Sequence, residues 1–323
     1  MQTKAATWGE DLFLMCHFTS STARTISSRT EVLDLWQTVI PEEATTCPFL
    51  LHGILALSAL HLASLRPSQR GKYEQCCRRH QYEVIPDYRR ALRDIKPDSS
   101  GRVFAMAFLD VLLGLATISD NALYKEDMPS EKYPEFTDVM AMLTVVRGVR
   151  AILKQGTPIR HTIINGRYGV ALTGHTAIDC QNFELPIDVQ VRYQRLMTDC
   201  LDSLLAGNKS AQNECVEAIS RLQSIHRELL FLVSKYDSEE GSELELVYLV
   251  KWLGLVSPKF VAMLRQKNTA SLVILGDYFV LWRLLESRWF LKNVTTNALN
   301  AIRTVIDPRG LEWLQDREMQ DVK

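Results

Sequence analysis

The sequence predicts an all-α protein, a single helical domain (1–323) of about ten helices around a large apolar core. Three observations carry that expectation: apolar residues recur at three- and four-residue spacing, alternating strand patterns are scarce, and several runs are apolar on nearly all sides. A chain of 323 residues, 46% apolar and 23% charged, has the material for a sizeable core and an ordinary globular composition.

The spacing places helices over 10–19, 29–38, 49–65, 71–94, 102–118, 137–154, 188–206, 211–236, 242–265, 269–287 and 289–306. The third lies in CPFLLHGILALSALHLA (47–63), with Pro48 suited to a first helical turn and Pro67 preventing continuation. From Phe49 to Leu65 there are 17 residues without a formal charge, short of the roughly 20 that cross a bilayer, and two histidines lie among them. The run at 103–118 is also short and carries Asp110. Both read as core helices, and no transmembrane segment is expected. The segment 269–287 is apolar on most sides except at Asp277 and Arg283, which should find partners or reach the rim. In 289–306 a stripe of Leu291, Val294, Ala298, Ile302 and Val305 predicts one face packed on the core. Two stretches, 119–136 and 155–187, are rich in proline, glycine or charge and read as irregular, the second with a short strand or hairpin around HTIIN. With no repeat and no long linker, one domain is expected.

Lysine plus arginine number 37 and aspartate plus glutamate 38, so no overall positive field draws in a phosphate backbone, and direct nucleic-acid binding is not expected. The N-terminus lacks the features of a secretory signal, and seven irregularly spaced cysteines do not make a disulfide framework. A nuclear or cytoplasmic protein is expected, in which the triplets at Asn208 and Asn293 carry no glycan.

Catalytic and metal motifs are missing: no G-x-S-x-G, phosphate-binding loop, dinucleotide fingerprint, HExxH or C-x2-C occurs. His52 and His61, nine residues apart, fall on opposite sides of one helix and cannot share a metal through it. Cys76 and His80 have i, i+4 spacing, which is half a zinc site at most. Gly207-Asn208-Lys209-Ser210 reads as a loop, and Glu239-Glu240 as solvated charge. The basic segment CCRRHQYEVIPDYRRALRDI reads first as a solvated helix face, because Glu83, Asp87 and Asp94 are interspersed; an acidic partner is the other reading. No enzyme, metal or cofactor is expected.

Three ordered stretches carry a family resemblance: CPFLLHGILALSALHLA with RGKYEQCCRRHQ, LTVVRGVRAIL (143–153), and the tail ASLVILGDYFVLWRLLESRWFLKNVTTNALNAIRTVIDPRGLEWL (270–314). Together they resemble the C-terminal regulatory domain of fungal zinc-cluster transcription factors of the sterol uptake control type. The resemblance implies a helical effector domain, a homodimer or a related transcription factor as partner, and a sterol or other apolar small molecule in a pocket that controls nuclear entry and promoter activity. The family's six-cysteine zinc cluster has no counterpart here, since only Cys76 and Cys77 are close together. Either that cluster is encoded upstream of this chain or the protein regulates without touching DNA.

Phe104, Met106, Phe108 and Leu112 on 102–118, with Tyr278, Phe279 and Trp282 on 269–287, are the candidates to line an apolar pocket. The same residues at helical spacing also read as ordinary core. An interaction module with a filled core is the neighbouring alternative, and an enzyme the distant one, which would require His161, His175 or His226 to face a carboxylate in a cleft.

Overall fold

The computed structural model describes residues 4–120, 135–172, 180, 182–236 and 246–320. Every regular element among them is helical, and abutting segments join into fourteen helices, more than the ten or so expected. Helix α1 (4–25) passes from α-helix through a wider π turn at Phe18–Thr22 into a 3-10 end, and α2 (30–44) contains a similar π turn at Leu35–Val39. There follow α3 (Pro48–Leu65), α4 (Arg70–Arg93), α5 (Ser100–Asp120), α6 (Phe136–Ile152), α7 (Pro158–Asn165), α8 (187–204) and α9 (Lys209–Tyr236). The last five are α10 (Leu246–Leu255), α11 (Pro258–Arg265), α12 (269–285), α13 (Val294–Arg303) and α14 (Pro308–Gln320).

Four local expectations change. The segment around HTIIN is helix α7, not a strand: Thr157 caps it, its hydroxyl accepting from the Arg160 N–H at 3.2 Å, and Pro158 opens the first turn. The single helix expected over 242–265 breaks at Ser257-Pro258, where α10 and α11 meet at 89°. Proline supplies no N–H there, while the Ser257 hydroxyl accepts from the Phe260 N–H at 3.0 Å and restarts the helix. The expected helix 289–306 begins only at Val294, because 286–293 are turns that nonetheless bury Phe290 and Leu291 and so keep the apolar spacing intact. Finally, α14 is a further helix, opened by Asp307-Pro308 with the Asp307 carboxylate accepting from the Gly310 N–H at 3.0 Å. The irregular stretch expected at 119–136, and the residues around Glu239-Glu240, lie largely outside the described residues.

Internal contacts divide the chain into two compact units, where the sequence suggests one domain. The first comprises Met1–Met128, Thr144–Ala177 and Arg288–Phe290. Its centre is α3, covered by α1, α2, α4 and α5. Leu50, Ile54, Leu55, Leu57 and Leu62, which point to different sides of α3, are all buried. The helix meets the length and hydropathy of a membrane span, as does Ser100–Ser119 of α5, but 72% and 67% of the two segments are buried within the protein. Protein side chains cover most of both segments. Gly53 lets α5 approach, since a Cβ there would sit 2.5 Å from Met106 Sδ and 3.1 Å from Leu109 Cδ1. On α4, Pro86 interrupts the backbone ladder on the side of the helix that faces solvent.

The second unit comprises Pro129–Leu143, Ile178–Ser287 and Leu291–Lys323. It is built round α12, against which α9, α11, α13 and α14 pack. From Ala270 to Trp282 every residue of α12 is buried, and the polar side-chain groups in that run belong to Ser271, Asp277, Tyr278 and Trp282. At Gly276 the missing Cβ leaves room for Leu314 of α14.

Substituting Gly53→Ala should overpack the α3–α5 contact and cost about 1–3 kcal/mol, read as a lowered melting temperature. An unchanged melt would show that Met106 and Leu109 give way freely.

Candidate functional site

The seven pocket candidates fall into two groups, one in each compact unit. On α5, Phe104, Met106 and Leu112 are buried, and Phe108 is half-buried with its ring 5.4 Å from that of Trp36. On α12, Tyr278, Phe279 and Trp282 are fully buried in an aromatic cluster. Tyr278 stacks on Trp252 with centroids 4.6 Å apart and meets Trp282 edge-on at 5.8 Å, and Phe260 closes the far side of Trp252 at 5.8 Å. Two polar heads are used: the Tyr278 hydroxyl donates to the Leu249 carbonyl at 3.1 Å and the Trp252 indole N–H to the Ala218 carbonyl at 3.0 Å. These rings brace one another and fix α12 against α9 and α10.

Asp277, on the same helix, finds Arg192 of α8. The guanidinium donates twice, Nε to Oδ1 at 3.0 Å and Nη2 to Oδ2 at 2.8 Å, and Nη2 also reaches the Trp313 carbonyl at 3.1 Å. Both side chains are buried. Arg283 is exposed, one of the two outcomes expected for it. Sequence reasoning missed Arg192, because its partner lies 85 residues away and its own helix reads as an ordinary polar one.

Two histidine networks tie α1 to the core of the first unit. In one, His61 Nδ1 lies 2.9 Å from Thr22 Oγ1, and its ring stacks on Trp289 at 4.9 Å and approaches His17 at 5.0 Å. Burial, with His17 adding a smaller push, lowers His61 to about 4. In the other, His52 Nδ1 and His80 Nδ1 are 2.9 Å apart. Arg79 Nη2 lies 3.2 Å from His80 Nε2 and binds Glu10 at 3.0 Å and Asp11 at 3.4 Å. His80 Nε2 also lies 3.4 Å from Asp11 Oδ1, so in one tautomer it accepts from Arg79 and in the other it donates to Asp11, and His52 Nδ1 takes the complementary role on the far side of the ring. Burial first, then the Arg79 charge, lowers His80 to about 3.

The arrangement also answers the half zinc site. The Arg79 guanidinium lies between Cys76 Sγ, at 3.4 Å, and His80 Nε2, so a cation already occupies the space a metal would need. Burial pushes the Cys76 thiol up to about 12, and no group of three metal-ligating side chains occurs among the described residues. Five cysteines, Cys47, Cys76, Cys77, Cys200 and Cys215, are buried free thiols. Of the histidines an enzyme would need, His161 is exposed, His226 is buried against the Tyr193 hydroxyl at 3.1 Å, and His175 lies outside the described residues.

Residues 13–125, which take in most of α1, all of α2 to α5 and the four histidines His17, His52, His61 and His80, match the family of the fungal specific transcription factor domain. Over 88% of its length the chain is similar to sterol uptake control protein 2 of Candida albicans, at 24% identity and covering 39% of that protein. It is 22% identical to sterol uptake control protein 2 of Saccharomyces cerevisiae, again over 88% of the chain and 29% of the relative. A Zn(2)-C6 fungal-type transcription factor of Gibberella zeae matches 94% of the chain at 20% identity, over 60% of its own length. The chain thus spans less than two thirds of the length of each of these relatives.

Within residues 13–125, burial pushes the Asp110 carboxyl up to about 7, in the middle of the mostly apolar helix α5. Its effect on stability runs against that of the histidines. His61 and His80 titrate lower in the folded than in the unfolded chain, so their stabilisation is complete above about pH 6.5 and is lost as pH falls toward 4. Asp110, raised in the folded chain, contributes most below its ordinary value near 3.8, and that contribution is lost as pH rises through about 7. Urea titrations at about pH 4.5, 6 and 8 should show His61→Gln flattening the acid side of the profile and Asp110→Asn relieving the alkaline side. Parallel profiles for parent and variants would contradict both assignments.

Removing one member of the buried ion pair is the second test. Asp277→Asn leaves Arg192 charged in the core and should cost about 3–5 kcal/mol in denaturant titration, with a milder loss when Arg192→Met is added.

Proposed function

We propose that this chain is the effector part of a fungal transcription regulator and acts in the nucleus through an apolar, sterol-like molecule and protein contacts. The supporting observation is the similarity running over 88% of the chain to two sterol uptake control proteins, joined to the match of residues 13–125 to the fungal specific transcription factor domain. On this reading the chain works as one regulatory domain, pairs with a second copy or a related factor, and leaves DNA contact to a zinc cluster outside the sequence described. The near-cancelling charges, 37 against 38, favour that division of labour. The apolar side chains of α5 in the first unit, or separately those of α12 in the second, are the residues to line an effector site.

A second reading draws on the aromatic cluster. Tyr278, Phe279 and Trp282 are fully buried against protein, which favours an interaction module whose core is already filled. Thermal melting with and without ergosterol separates the two. A ligand bound only by the folded state, at about a hundred times its Kd, stabilises by about 2.7 kcal/mol and should raise the melting temperature by a few degrees. No shift with ergosterol, together with unchanged transcript levels when the gene is deleted, would sink the effector reading.

A further inference from the structure

Helix α4 presents two opposite faces. Tyr73, Cys76, Cys77, His80, Val84 and Tyr88 are buried on one side. The other side shows Tyr82, Ile85 and Leu92 to solvent, 74%, 40% and 42% exposed. Single exposed apolar residues are ordinary, but these three keep a seven-residue register with Arg78 and Arg89: the series 78, 82, 85, 89, 92 alternates steps of four and three. At about 100° per residue the five fall within an arc of about 80°, and Arg93 joins its edge. Between Arg78 and Arg93 no acidic residue lies on that arc. Glu83 and Asp87 sit away from it, and Asp87 is engaged by Arg90 at 3.1 Å. Arg89 and Arg93 make no ion pair among the described residues, and α4 ends in cations, Arg90 and Arg93, where the helix dipole welcomes them.

We infer that this face is a docking site for an acidic amphipathic helix of a protein partner, apolar in a matching seven-residue register and flanked by Asp or Glu. The apolar steps fit a helix laid alongside α4, with Tyr82, Ile85 and Leu92 entering its seam. The arginines decide the partner's charge. A second copy of α4 would bring arginine against arginine in the same seam, which like-charge repulsion disfavours; an acidic helix instead meets Arg78, Arg89 and Arg93 with opposite charge and gains both attraction and register. A nucleic acid would use the cations but leave Ile85 and Leu92 without a partner. The inference stands apart from the effector reading, because it is scored without sterol or promoter; either can fail while the other stands.

The test uses the whole chain and a labelled synthetic peptide of three heptads, leucine at the seam positions and glutamate at the flanking ones, followed by fluorescence anisotropy. Saturable binding is expected, weakening as salt is raised from about 50 to about 500 mM. Arg89→Glu with Arg93→Glu should weaken it about tenfold or more, and Ile85→Asp should do the same without lowering the melting temperature. Absence of binding, or equal binding of a lysine-flanked peptide, overturns the inference. So does a random-sequence DNA duplex that binds in place of the peptide. Sedimentation showing self-association lost in Ile85→Asp would overturn it too, and assign the face to a second copy.

Discussion

The burial of α3 on all its sides is the constraint from which the first unit follows. Five of its side chains, Leu50, Ile54, Leu55, Leu57 and Leu62, are essentially inaccessible to solvent. At about 2 kcal/mol each, removing them from water contributes about 10 kcal/mol, as much as the entire net stability of a typical domain. A helix that is apolar all round cannot be satisfied by one neighbour, so α1, α2, α4 and α5 must surround it. Each neighbour then inherits a requirement: α5 needs glycine opposite Met106, and α1 must place Leu14 and Phe18 inward, where the Leu14 carbonyl accepts from the Ser58 hydroxyl at 2.7 Å.

Polar groups inside this packing are held by partners chosen for geometry. His61 keeps Thr22, His80 keeps Arg79 and His52, and each ring stays neutral because charging it would place a cation in a site with little water. In the second unit the solution differs. Asp277 remains on an otherwise buried helix because Arg192 supplies a two-point, planar match that a lysine could not. Such a pair adds little net stability over an apolar substitute, yet losing one half is expensive, so its presence fixes which way α8 and α12 face each other.

Much of the helical pattern was legible because prolines punctuate it: Pro48 opens α3 and Pro67 follows its end. The same signal marks Ser257-Pro258, where unbroken apolar spacing suggested a continuing helix, and Asp307-Pro308, which follows the last expected helix. At HTIIN, β-branched residues favoured a strand, and the cap from Thr157 together with the packing of α7 on α5 outweighed that preference. The turn at 286–293 misled for another reason: Phe290 and Leu291 are buried from a turn as deeply as from a helix. Of the candidate pocket residues, burial was foreseeable from composition, whereas the stacking of Tyr278 on Trp252 joins two separate helices and could not be read from either alone. The partner of Asp277 was hidden in the same way.

The buried thiols settle one more matter. Disulfide exchange and peroxide attack both require thiolate, and a cysteine surrounded by apolar side chains stays protonated. Burial pushes Cys76, Cys200 and Cys215 up to about 12, and Cys47 and Cys77 are raised as well. An oxidant therefore meets the folded chain first at exposed Cys16, on α1, and leaves the interior sulfurs reduced. Oxidative damage to the core thereby becomes a reporter of unfolding: only a molecule that has opened will give up those five sulfurs.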